Sequence, residues 1–373
     1  MWQTEIRIDL DAITGNVARL RAGTSAEVMA VVKADGYGHG MVPAARAALA
    51  GGATWLGVCT LDEALALRAA GITAPVLAWL LAPGLPLHRA VSADVDLSAA
   101  SLAGLAELVE AGRLAGRPTR VHLKADTGLG RGGAGLADWP ALVEAAAKAQ
   151  ADGAIEVVGV WSHFANADAP EHPTNNGQLT AFRAAVAAAE AAGLTPRYRH
   201  LANSAATLVR PDTHFNLVRP GLAVYGLSPM PGRAAEFGLR PAMSVRARVA
   251  LAKRVPAGQG VSYGHAYTTD RETTLALIPL GYADGVPRIA GNAGPVALGG
   301  RVRHIAGRVC MDQIVLDCGD APVAAGDVAV LIGPGPGEPT ADDWAEVCAT
   351  INYEIVTRMG SSRVPRVYQG GAP

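Results

Sequence analysis

From residue 27 onward, short runs of apolar and β-branched residues alternate with longer Ala/Leu-rich segments whose apolar positions recur every three or four residues. The short runs predict buried strands: EVMAVVKA (27–34), TWLGVCT (54–60), PVLAWLL (75–81), DVDLS (94–98), TRVHLKAD (119–126), IEVVGVWSHF (155–164), YRHLANS (198–204) and LVRPGLAVYG (217–226). The longer segments predict helices. Among them are LDEALALRAAG, with Leu61, Ala64, Leu65 and Arg68 at helical spacing, SLAGLAELVEAG and LTAFRAAVAAAEAAG, each closing on a glycine stop. Strand–helix units repeated over roughly 200 residues match a (β/α)8 TIM-type barrel. A doubly wound open sheet is the alternative, because strand number alone does not close a sheet.

After about residue 236 the pattern changes. AMSVRARVALAKRV, TTLALIPLGY, PVALGG-RVRHIAGRVCMDQIVLDCG and DVAVLIG are strand-like runs joined by Gly/Pro turns. The expected fold class is therefore α/β: a barrel over residues 1–235, then a mainly β C-terminal domain over 236–373. One helix is predicted late in the chain, TADDWAEVCATINYEIVTRMG, with Thr340 as N-cap and Asp343 three residues on. On it Trp344, Val347, Cys348, Ile351 and Ile355 form an apolar face, and Tyr353 points the other way.

Composition narrows the function classes. Half of the 373 residues are hydrophobic but only 5% are aromatic, so Ala, Val and Leu must fill the core. The net charge of −1 and the absence of a basic patch argue against nucleic acid, and RVRHIAGR reads as the wet face of a strand. Glu5, Arg7, Asp9 and Asp11 interrupt any N-terminal apolar stretch, and Pro83 and Pro86 cut APVLAWLLAPGLPL, so a cytoplasmic protein with no membrane partner is expected. Cys59, Cys310, Cys318 and Cys348 form no C-x-x-C pair, which predicts reduced thiols and no metal.

The stretch VMAVVKADGYGHG brings an apolar strand to a lysine, Lys33, and then breaks into glycines around Tyr37 and His39. Taken singly, Lys33 could snorkel to water and His163 could be structural. In a barrel, however, chemistry gathers at the C-terminal strand ends, and there Lys33, Lys124, Arg131, His163, Asn203, Ser204, Arg219 and Gly221 share one address. Ser204 and Gly221 follow strands seven and eight, the usual phosphate seat of such barrels. GLGRGG (128–133), with Asp152 downstream, fits G-x-G-x-x-G on paper. The next helix, though, starts after Asp138 with Trp139 and Pro140 in its first turn, which leaves the last glycine outside it. The second domain offers Tyr263, Tyr282, Arg288, Met311 and Asp312, each also readable as a turn residue at a strand end.

Taken together, AVVKADGYGHG, HLKADTGLGRGG, WSHFANAD, HLANSAA, VRPGLAVYG, GVSYGHAYT, GYADGVPR, GRVCMDQ and NYEI resemble the bacterial alanine racemases over nearly the whole chain. The resemblance implies a pyridoxal-phosphate enzyme that racemises alanine for peptidoglycan, working as a homodimer whose active sites borrow residues from the partner. It implies that Lys33 is the Schiff-base lysine and one base, with Tyr263 of the partner subunit as the other. Tyr37, Ser204, Gly221, Leu222 and Tyr353 would hold the phosphate, with Asn203 beside them. Arg219 would face the pyridine nitrogen and bond His163. Arg131 and the partner's Met311 would hold the substrate carboxylate. Asp168, Tyr282, Arg288 and Asp312 would line or support the approach, and Lys124, plain or carbamylated, would orient Arg131. Alternatives within the resemblance are a racemase of another amino acid such as serine and a cofactor carrier, although carriers are barrels alone. A decarboxylase of this barrel class would be expected to carry an acidic residue at the pyridine nitrogen, where this chain has Arg219.

Overall fold

The computed structural model describes residues 2–360 and 363–371. After β1 (Thr4–Asp9) come β2 (Glu27–Val31), β3 (Trp55–Val58), β4 (Val76–Ala78), β5 (Val95–Ala99), β6 (Thr119–Lys124), β7 (Ile155–Trp161), β8 (Tyr198–His200) and β9 (Leu217–Val218). Strands β2 to β9 form one eight-stranded sheet in the order β8-β7-β6-β5-β4-β3-β2-β9. Its ladders are parallel throughout. Because sequential strands are spatial neighbours and β9 returns to β2, the sheet rolls into a barrel and never reverses as a doubly wound sheet does. The strands are buried on both faces, as covered parallel strands must be.

One seam of the barrel lacks a ladder among the described residues: β8 and β9 do not pair. Asn216 bridges it instead. Its side chain accepts from the Arg199 N–H at 2.8 Å and donates to the Arg197 carbonyl at 2.6 Å, while its own carbonyl accepts from Glu27 on β2 at 3.0 Å. Higher up, the Arg219 N–H donates to the Ala202 carbonyl at 2.9 Å.

The β region holds a six-stranded sheet in which β10 (Met243–Arg248) lies between Val328–Ile332 and β1. A three-stranded sheet of Leu251–Val255, Thr273–Ile278 and Ile314–Asp317 lies beside it. β1 went unread in the sequence, yet its alternation is plain, with Ile6 and Ile8 fully buried. It pairs antiparallel with β10 and parallel with Arg366–Gln369, so the first strand of the chain completes the sheet built from its last residues. No helix among the described residues is long and apolar enough to cross a membrane.

Two helix boundaries differ from expectation. The helix Leu102–Ala115 runs through Gly112, where a Cβ would collide with the Arg117 and Ala154 carbonyls, and stops at Gly116 in a left-handed cap. The late helix is two helices, Ala341–Val347 and Asn352–Met359. Trp344 is locked by its Nε1–H donating to the Leu331 carbonyl at 2.6 Å, and Ala349, at φ 51°, turns the chain. Asn352 then starts the second helix by donating to the Ser228 carbonyl and Asp342. Ile351 is consequently exposed instead of joining the apolar face. The Thr340–Asp343 capping box is present.

Replacing Asn216 with Ala removes two hydrogen bonds at the unladdered seam, and should cost about 1–3 kcal/mol of stability in urea unfolding with the m-value unchanged.

Candidate active site

Lys33 sits where β2 stops and a left-handed turn begins. Ala34, Asp35, Gly36 and Tyr37 have φ of 52°, 52°, 64° and 52°. Three of these carry side chains, so the turn is strained and must be held from outside. The Ala34 N–H donates to Glu63 Oε1 at 2.7 Å, and the Met41 N–H donates to Asp35, which also pairs with Arg366 at 2.7 Å. His39 is fully buried, and burial lowers its pKa to about 4. The ring is therefore neutral, and Nδ1, 3.0 Å from both the Gly36 and Tyr37 carbonyls, must carry the proton it donates. This frame fixes Lys33 at the barrel mouth and turns Tyr37 inward against Tyr225, with centroids 5.1 Å apart.

Beyond Tyr37 lies a small cradle. Ser204 Oγ accepts from the N–H groups of Gly221 at 2.9 Å and Ala223 at 3.3 Å. A Cβ on Gly221 would stand 2.3 Å from the Tyr37 hydroxyl, so only glycine allows that approach. Burial raises the pKa of Tyr37, and raises that of Tyr353 to about 12, leaving both as neutral hydroxyl donors.

Arg219 is buried at the ends of β7, β8 and β9. It donates to the His200 and Ser162 carbonyls at 2.7 Å each and to Leu201 at 3.3 Å, and lies 3.3 Å from His163 Nδ1. Burial draws its pKa down to about 9, which still leaves it charged at neutral pH. Because a guanidinium only donates, His200 Nδ1 at 3.2 Å must accept, and the chain continues from His200 Nε2 to His122 (2.9 Å) and Asp96 (3.1 Å). Burial, followed by the charge of Arg219, lowers the pKa of both His163 and His200. Trp161 lies under two cations, 4.4 Å from Lys124 Nζ and 4.8 Å from the Arg219 guanidinium.

These elements bring Lys33, Tyr37, Lys124, Arg131, His163, Asn203, Ser204, Arg219, Gly221, Leu222 and Tyr353 around one cavity of about 510 Å³. Trp79, Trp161, Glu354 and Arg358 also line it and were not singled out in the sequence. Trp161, at the end of a strand two residues before His163, was the legible one. Burial, then Arg219 and Arg131, lowers the Lys124 pKa to about 8. Among the described residues the one lining carboxylate, Glu354, is paired with Arg358 at 3.2 Å, so the cavity is strongly cationic.

The remaining candidates lie elsewhere. Asp168 lines an adjoining cavity of about 740 Å³ together with Arg131, His163 and Tyr353. Tyr263, Tyr282, Arg288, Met311 and Asp312 are exposed on the β region and do not reach the Lys33 cavity within this chain. Tyr263 is 70% exposed and Met311 53%. Their turns are stitched together, with the Tyr282 N–H donating to the Cys310 carbonyl, the Ala283 N–H to Met311, and Ser262 Oγ to Arg308.

Two family models cover the chain: "Alanine racemase, N-terminal domain" over residues 8–229 and "Alanine racemase, C-terminal domain" over 242–368. An alanine racemase of Salinispora tropica is 72% identical over 374 residues, covering all of both chains. One from Frankia casuarinae is 65% identical over 97% of this chain and 95% of its own. The crystal structure of alanine racemase from D-cycloserine-producing Streptomyces lavendulae superposes with a TM-score of 0.98 at 54% identity, covering 100% of this chain and 98% of that one. Matching both domains does not favour a carrier built from a barrel alone.

The depressed Lys124 pKa fixes a stability sign. Its folded value near 8 lies below the unfolded ~10.4, so the cost of burying its charge is full below pH 8 and is relieved as pH rises toward 10.4. Lys124→Met should therefore gain most stability over the parent below pH 8, with the difference shrinking by pH 10, as read by urea unfolding at each pH.

Proposed function

Because the chain belongs to the alanine racemase family and is an enzyme that interconverts L- and D-alanine, we propose that it uses pyridoxal 5′-phosphate. We further propose that it acts as a cytoplasmic head-to-tail homodimer and supplies D-alanine for peptidoglycan. One observation carries this reading: Lys33, Lys124, Arg131 and Arg219 crowd a single cavity that also holds the Ser204–Gly221–Tyr37 cradle. An amine, a phosphate-sized cradle and excess positive charge fit a phosphorylated aldehyde together with an amino-acid carboxylate. When bound, the cofactor supplies the electron sink that acidifies the Cα–H bond.

The chain's own residues do the rest. Ser204 Oγ accepts two backbone N–H groups, which leaves its single proton for a phosphate oxygen. Tyr37 and Tyr353 add neutral hydroxyl donors at the same end. Arg219, braced by three carbonyls, would hold the ring nitrogen as a donor that does not give up its proton, so the bound cofactor would be a weaker electron sink and transamination would be limited. Arg131 is planar and holds the carboxylate through two hydrogen bonds. Lys33, fixed by the strained turn, moves the proton on one face of Cα.

Racemisation requires a second acid/base group on the opposite face. Tyr263 is too exposed to serve its own chain, so the role falls to the partner subunit's Tyr263. Pairing would also cover an exposed surface that carries Tyr282, Ile289 and Met311. Asp168 and the partner's Tyr282 and Arg288 would narrow the approach enough to favour a methyl side chain.

In heavy water with added cofactor, L-alanine should yield D-alanine deuterated at Cα, read by chiral chromatography with mass detection. Tyr263→Phe should slow this by about 10²–10⁴-fold while retaining cofactor absorbance. D-alanine without deuterium, or a Tyr263→Phe variant with parental turnover, would overturn the two-base reading.

A further inference from the structure

The GLGRGG segment that imitates a dinucleotide fingerprint has an occupant of its own. Asp126 Oδ1 accepts from the N–H groups of Gly128 at 3.0 Å, Leu129 at 2.9 Å and Gly130 at 3.1 Å. Burial pushes this carboxyl up, but the N–H groups of Gly128, Gly130, Leu129 and Arg131 outweigh it and hold the pKa below the usual range. The anion seat formed by the glycine-rich turn is thus filled by the carboxylate that starts the turn, which leaves no place there for a dinucleotide phosphate.

The same turn is clamped at its base and flank. The Asp126 N–H donates to the Ala134 carbonyl and the Ala134 N–H to the Lys124 carbonyl, both at 2.8 Å. Thr127 Oγ1 lies 2.8 Å from Ser162 Oγ, and Ser162 also offers its carbonyl to Arg219. At the far end stands Arg131, whose guanidinium makes no hydrogen bond or ion pair among the described residues. Its aim therefore depends on the backbone that carries it as well as on the neighbouring Lys124.

We propose that Asp126 is a positioning residue for the amino-acid carboxylate: by gathering the N–H groups of residues 128–130 onto one oxygen, it freezes the turn that presents Arg131 to the cavity. Here a pattern that elsewhere grips a cofactor phosphate sets substrate affinity instead. The inference rests on Arg131 being the carboxylate holder.

The test compares Asp126→Ala, Asp126→Asn and Arg131→Ala holoenzymes, measuring KM for L-alanine, kcat, the competitive Ki of propionate, cofactor absorbance and Tm. For Asp126→Ala, KM and Ki should each rise about tenfold or more, as misplacing a substrate anchor does, with kcat changed far less, parental absorbance and only a small drop in Tm from the lost turn hydrogen bonds. Asp126→Asn should recover most of the affinity, because Asn Oδ1 can accept the same N–H groups.

Unchanged KM and Ki in Asp126→Ala would overturn the proposal, as would a joint fall of kcat, cofactor retention and Tm, which marks a merely structural role. An Asp126→Asn variant as impaired as Asp126→Ala would overturn the geometric account. Arg131→Ala separates the two layers: if it leaves KM and Ki unchanged, the reading of Arg131 fails. If it raises them while Asp126→Ala does not, only the positioning role of Asp126 fails.

Discussion

A guanidinium taken wholly out of water must be met by acceptors, and much of this site follows from how Arg219 meets that demand. Its partners are the carbonyls of Ser162, His200 and Leu201, at or one residue past the ends of β7 and β8, and its backbone N–H reaches Ala202. One side chain therefore ties strand ends together at the part of the barrel with no β8–β9 ladder. It also dictates the hydrogen-bond direction of His200 and His122 down to Asp96. Losing it would unfasten a seam as well as an electrostatic partner.

The site works against the stability of the fold that carries it. Lys33, Lys124, Arg131 and Arg219 face one cavity, Lys124 is held below its ordinary pKa, and the turn after Lys33 is left-handed at residues other than glycine. Each feature raises the free energy of the folded chain. The surrounding frame offsets this with buried alanines and β-branched residues, which permit close helix–strand packing, and with a neutral His39 that bonds two carbonyls of the strained turn. Local rules fail where chemistry needs them to fail.

Much of this was legible in the chain. Continuous apolar runs mark strands buried on both faces; seven of the eight barrel strands lie within the runs read for them, and β5 overruns its run by one residue, Ala99. The polar residues ending those strands share the Lys33 cavity because barrel topology gives strand ends one address. What stayed hidden has physical causes. β1 alternates plainly but lies far in sequence from both its partners, so its pairing left no local trace. The break near Ala349 depends on a tertiary anchor at Trp344, whereas the apolar spacing of residues 344–355 looks continuous. The glycines of 128–133 were set aside as a dinucleotide fingerprint, and their spacing did not show that they seat an anion from within the chain, Asp126.

The placement of β1 bears on how the protein comes off the ribosome. Its first strand is made before any barrel strand, yet its parallel partner, Arg366–Gln369, lies at the opposite end of the chain. The barrel strands can all emerge while Ile6 and Ile8 still wait for β10. For most of translation the nascent chain must therefore carry an unpaired, half-apolar leading edge, the kind of exposed strand that invites chaperones or wrong partners. Emergence of Arg366–Gln369, more than completion of the barrel, is the event that covers this edge.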